Sequence, residues 1–61
     1  MNHVEEARSI GRNSILENWS TKKIMAEEQS TYKKYPDKNI EISKAFAEGI
    51  KEAVESQRDN Q

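Results

Sequence analysis

Cysteine is absent from this 61-residue chain, proline occurs once and glycine twice. Without cysteine there is no disulfide, no thiolate metal ligand and no thiol nucleophile. Pro36, Gly11 and Gly49 are the only strong breakers, and β-branched alternation never extends beyond three residues, so an all-α fold is expected. No apolar run approaches the roughly 18 residues that a membrane-spanning helix requires. The opening stretch MNHVEEARSIGR lacks the basic start and continuous apolar core of a secretion signal, and the expectation is a soluble, cytoplasmic protein.

Large apolar side chains are also scarce. Leu16, Val4, Val54, Phe46 and six isoleucines make up about 16% of the chain, below the roughly 20% at which disorder becomes an alternative. Disorder of that kind also needs high net charge, whereas here the formal charge is -1. A folded chain with a weak core is therefore expected. Chains of this length bury only about 60% of the surface their unfolded form exposes. With neither disulfide nor metal to reinforce it, association with a second copy or another protein is the expected staple.

Helical phasing divides the chain into segments of about 3–19, 21–34 and 40–56, with 57–61 fraying as a polar tail. In the first, Val4, Ala7, Gly11, Ile15 and Trp19 share one face. In the second, Ile24, Met25, Tyr32 and Tyr35 share a face that is rotated from the first and has Glu28 in its middle. Ser20 and Thr21 sit where the phase changes, and either can cap a helix, although an uninterrupted helix to Tyr35 is also compatible with the residues. Pro36 pushes Tyr35 out of the helical region, and Asp37 or Asn39 is positioned to cap the last helix. The expected architecture is two or three helices in a hairpin-like domain turning at Pro36, assembled as a dimer or on a partner.

The last helix carries the sharpest pattern. Ile42, Phe46, Gly49, Ile50, Ala53 and Val54 fall on one side, with Glu41, Lys44, Glu48, Lys51, Glu52 and Glu55 on the other. Ala45, Gly49 and Ala53 form a ladder of small residues that admits another helix backbone at close range. Mid-helix glycine costs roughly 1 kcal/mol against alanine, so Gly49 points to close packing, either within the chain or between subunits. A large aromatic such as Trp19 is either core or the anchor of a binding surface. The expected protein-binding or self-association surface is therefore Trp19, Ile42, Phe46, Gly49, Ile50, Ala53 and Val54. The corresponding function is a small regulatory or inhibitory module acting by helix-mediated protein–protein interaction.

Other functions find less support. A dimeric nucleic-acid-binding regulator would use Lys22, Lys23, Lys33, Lys34 and Lys38 with Tyr32 and Tyr35 interleaved, but Glu27, Glu28 and Asp37 dilute that charge. The spacing of Ala45 and Gly49 also occurs around the turn of helix-turn-helix DNA readers. That alignment, however, buries Lys44, Glu48, Glu55 and Arg58 and sets an acidic helix against the phosphates. Trp19 beside Lys22 and Lys23 suits a membrane surface, but the acidic polar side of the last helix opposes it. His3, the only histidine, has no convergent ligand set for a metal. The serines lack a base at helical spacing, Glu5–Glu6 and Glu27–Glu28 are adjacent and diverge, and no glycine-rich phosphate loop is present, so no catalytic, metal or cofactor role is expected. If the lysines bind nucleic acid, affinity for DNA or RNA falls steeply in a salt titration and drops in a Lys33→Ala, Lys34→Ala variant; the protein-binding reading expects neither.

Overall fold

A computed structural model describes residues 2–59, with the Asp59 side chain left aside. The chain forms α1 (His3–Leu16), α2 (Thr21–Lys34) and α3 (Asn39–Asp59), with no strand among the described residues. Asn2 caps α1 by accepting the Glu5 backbone N–H on its Oδ1 at 2.8 Å. Glu5 and Glu6 follow in the first turn, where carboxylates favour the positive end of the helix dipole.

The first helix ends at Leu16 rather than Trp19. Asn18 takes the left-handed conformation at φ 53, donating its N–H to the Ile15 carbonyl, while the Trp19 N–H reaches back to the Ser14 carbonyl at 3.0 Å. This is the Schellman arrangement, and asparagine is among the few residues other than glycine that tolerate its left-handed position. A fresh helix then starts from Ser20, whose Oγ accepts the Lys23 N–H at 3.2 Å, so α1 and α2 are separate. Tyr35 leaves the helix at φ -130, ψ 69, and the Lys38 N–H closes a turn onto the Tyr35 carbonyl with Pro36 in its second position.

Lys38, not Asp37 or Asn39, holds the N-cap position of α3, because its carbonyl accepts the Ile42 N–H at 2.9 Å. The helix then runs to Asp59, past the stop expected at Ser56. Nothing from Ser56 to Arg58 breaks a helix, and Arg58 is well placed near its negative end. Of the tail expected to fray, Asn60 and Gln61 lie outside the described residues.

The closest packing joins helices that are not neighbours in sequence. His3 meets Glu41, Arg8 meets Glu48 and Arg12 meets Glu52, so α1 and α3 run parallel and in register. Lys34 and Tyr35, at the far end of α2, return to Glu6 near the start of α1, which makes α2 antiparallel to both. The parallel seam is lined by Ala7, Gly11 and Ser14 on one side and Ala45, Gly49 and Ala53 on the other, all buried. At this seam the backbones touch. A Cβ on Gly11 would collide with the Phe46 carbonyl oxygen, and one on Gly49 with the Arg8 carbonyl and the Arg12 backbone nitrogen.

The core clusters Ala7, Ile42, Ala45 and Phe46, with Val4, Ile10, Tyr32 and Tyr35 packed against it. Tyr32 meets Phe46 edge-on, with centroids 5.7 Å apart and planes at 83°, a favourable arrangement of ring quadrupoles. The buried hydroxyls of Ser14 and Thr31 donate back to the carbonyls of Gly11 (2.7 Å) and Glu27 (2.9 Å), so small polar residues line the interior without unpaired groups.

In an exposed helix Gly→Ala would stabilise by up to about 1 kcal/mol. Gly49→Ala and Gly11→Ala are instead expected to destabilise by about 1–3 kcal/mol or more, because the colliding atoms are backbone and whole helices must separate. Urea unfolding followed by circular dichroism decides the sign, and a gain in stability at either site would refute the seam.

Candidate protein-binding surface

The structure divides the surface expected from the sequence. Ile42 and Phe46, at 0% and 5% exposure, and the small residues Gly49 and Ala53 turn towards the interior and α1. Ile50 and Val54 remain 37% and 42% exposed. At about 100° per residue, Ile50 and Val54 stand about 80° and 120° round the helix from Ile42, too far for α1 to cover. Trp19 is half-buried in the α1–α2 linker, with its Nε1 donating to Glu17 Oε1 at 3.4 Å and Lys23 Nζ 4.5 Å above the ring.

Ile50 and Val54 belong to a second row on α3. Ile40, Ser43, Ala47, Ile50, Val54 and Gln57 alternate in steps of three and four residues, the spacing of a coiled-coil seam. Every member is exposed, Ile40 at 75%. The Ser43 hydroxyl lies 2.6 Å from the Tyr32 hydroxyl, which puts the end of α2 alongside this row. Met25, seven residues before Tyr32 on the same flank of α2, is 54% exposed. Ile50 and Val54 fit both periodicities, so the four-residue spacing alone does not separate this row from the inner stripe. Ile40, Ser43 and Ala47, taken in steps of three and four, are the signal that separates them.

Charge is sorted around the same helix. Glu48 accepts from Arg8 at 2.9 Å, Glu52 lies 3.6 Å from Arg12 and 3.9 Å from Arg8 Nε, and Glu41 lies 3.7 Å from Lys38. His3 Nε2 is 3.3 Å from Glu41 without the alignment of a hydrogen bond. These contacts draw much of the acidic side of α3 towards α1. Lys44, Lys51 and Arg58, along the outer row, make no ion pair among the described residues.

The lysines expected for nucleic acid are all exposed, but Lys34 is held by Glu6 at 3.1 Å, Lys38 pairs with Glu41 and Lys23 covers Trp19, which leaves Lys22 and Lys33 without such a contact among the described residues. Neither tyrosine offers a free ring for stacking on bases. Tyr32 lies against Phe46, and Tyr35 donates its hydroxyl to Glu6 at 2.7 Å with its ring 5.8 Å from His3. Among the described residues no three His, Asp or Glu converge as metal ligands, and no helix is long and apolar enough to cross a membrane. Comparison of the chain with family models, curated proteins and solved structures finds no match.

One cluster fixes α2 electrostatically. The Tyr35 hydroxyl and then Lys34 hold the Glu6 carboxyl below its usual value, while the same contacts raise Tyr35 and Lys34. A carboxylate whose folded value is depressed contributes stability that is complete above its ordinary range and is lost as pH falls through the folded value. For Tyr35 and Lys34 the sign is opposite, so their share is lost as the solution becomes strongly alkaline. Removing a hydrogen bond to this half-buried carboxylate is expected to cost about 1 kcal/mol. Tyr35→Phe should therefore lower the urea midpoint at neutral pH, with the difference from wild type vanishing once acid has protonated Glu6. A difference that persists unchanged in acid would assign the loss to packing instead.

Proposed function

We propose that this chain is a small regulatory or inhibitory module that binds another protein through α3. The observation that carries this reading is the exposed apolar row of Ile40, Ala47, Ile50 and Val54 on its longest helix. Isolated exposed apolar residues are ordinary on any surface. A row at coiled-coil spacing is different, because it is the complement of a second helix.

Two features support the choice of this face. The inner ladder is already occupied by α1, leaving the outer row as the surface open to a partner. The row is also carried by a helix clamped along its length through a backbone seam and several ion pairs, so its side chains are presented on a rigid support. Binding to preorganised groups loses less conformational entropy. Such a module acts by covering its target's surface, with Ile50 and Val54 as central contacts and Trp19 outside the main row. The engaged tyrosines give the nucleic-acid alternative no comparable support.

The test is a photoreactive phenylalanine analogue at Val54, compared with the same residue at exposed Gln29 on α2, in cells that naturally contain the protein. A discrete adduct is expected from position 54 alone. It should be destroyed by protease, resist nuclease, and be lost when Ile50→Glu is added. An adduct sensitive to nuclease, or equal labelling from both positions, would overturn the reading.

A further inference from the structure

We infer that the occupant of the α3 row is an amphipathic helix of another protein with acidic residues along one edge of its apolar stripe. This inference rests on the protein-binding reading and adds the chemistry of the partner. Lys44, Lys51 and Arg58 recur every seven residues immediately beside Ile40, Ala47, Ile50 and Val54. In a helix pair, this position flanks the apolar seam and sets partner choice and orientation.

Most glutamates within reach of the basic edge are directed elsewhere, and Glu55, within one turn of Lys51 and Arg58, forms no ion pair with either among the described residues. Lys44 and Lys51 each have Glu48 within one turn, yet Glu48 is taken across the seam by Arg8 at 2.9 Å. Glu41, one turn before Lys44, lies beside His3 and Lys38, and Glu52 lies beside Arg12 and Arg8. None of Lys44, Lys51 and Arg58 forms an ion pair among the described residues. The opposite edge of the row is formed by Phe46 and Ala53, which are buried in the chain's own core. The surface is thus apolar along its centre and positive along its single open edge.

A second copy does not complement that pattern. In an antiparallel α3 pair the basic edges meet, setting Lys51 against its counterpart and Lys44 against Arg58. In a parallel pair the basic edge meets the Phe46 and Ala53 edge, which carries no carboxylate. Carboxylates on a foreign helix supply the missing sign, and like charges there are rejected.

The test uses two fluorescent peptides of about three heptads with identical leucine seams, one flanked by glutamate and the other by lysine, titrated against the full chain by anisotropy. At low salt the glutamate peptide is expected to bind about tenfold more tightly, with the ratio falling towards one as salt screens the edge. The variant Lys44→Gln, Lys51→Gln, Arg58→Gln should lose the preference while keeping its helical circular dichroism, and Val54→Ser should weaken both peptides. Equal affinities at every salt concentration, or no binding of either peptide, would overturn the acidic-edge assignment. So would a dimer in sedimentation that Val54→Ser dissolves. Each of these results is distinguishable from failure of the binding reading itself, which is judged by the photoadduct at Val54.

Discussion

Direct backbone contact between α1 and α3 at Gly11 and Gly49 constrains everything else in this protein. Helices can meet so closely only where side chains are absent or small, so the middle of the interface is given over to Ala7, Gly11, Ser14, Ala45, Gly49 and Ala53. Such a seam gains dense van der Waals contact and brings Arg8 and Arg12 within reach of Glu48 and Glu52. Large apolar groups are few along it: Ile42 and Phe46 are buried in the core with Ala7, the others stand on its flanks, and only part of one flank is covered.

That covering is the work of α2, and it is concentrated at one end. Tyr32 closes over Phe46 and Ser43, while Tyr35 and Lys34 fasten the helix to Glu6. The first half of α2 has less to offer the interior. Ile24 is half-buried, Met25 is exposed, and the one fully buried residue of α2 is Thr31, near its far end. Few apolar contacts and largely solvated polar ones define the low end of local stability, so the start of α2 belongs there rather than with the parallel pair.

Periodicity and caps made much of this visible in the residues alone. The all-α class and the turn at Pro36 follow from spacing and local chemistry, whereas the break at Ser20 is one of two arrangements the residues allow, the other being an uninterrupted helix to Tyr35. The first helix ends at Leu16, short of the end that phasing predicts, because the break depends on Asn18 entering the left-handed region, a conformation asparagine permits but does not compel. The Ala45, Gly49, Ala53 ladder was legible as a close-approach surface, but its occupant was not, since local phasing holds no information about which of two small-residue stripes will meet. The pairing of Arg8 with Glu48, 40 residues apart, is likewise a product of tertiary register. Of the residues expected on one binding face, Ile42, Phe46, Gly49 and Ala53 lie in the interior, Ile50 and Val54 on the outside and Trp19 half-buried in the linker, because a single arc on α3 is wide enough to hold two stripes.

The two stripes of α3 have different periods, and this is what gives the outer one meaning. The inner ladder repeats every four residues and suits a close crossing of backbones, as its glycine requires. The outer row alternates three and four, the rhythm of side chains interlocking at the wider spacing of a coiled coil. Folding of the chain by itself accounts for the first and leaves Ile40 and Val54 in water. Charge follows the same division: Glu48 and Glu52 lie beside α1, and Lys44, Lys51 and Arg58 lie beside the outer row. A helix whose only task was to complete this fold would need neither the second rhythm nor a basic edge beside it, and their coincidence on one face is the strongest physical argument that α3 meets a helix from outside.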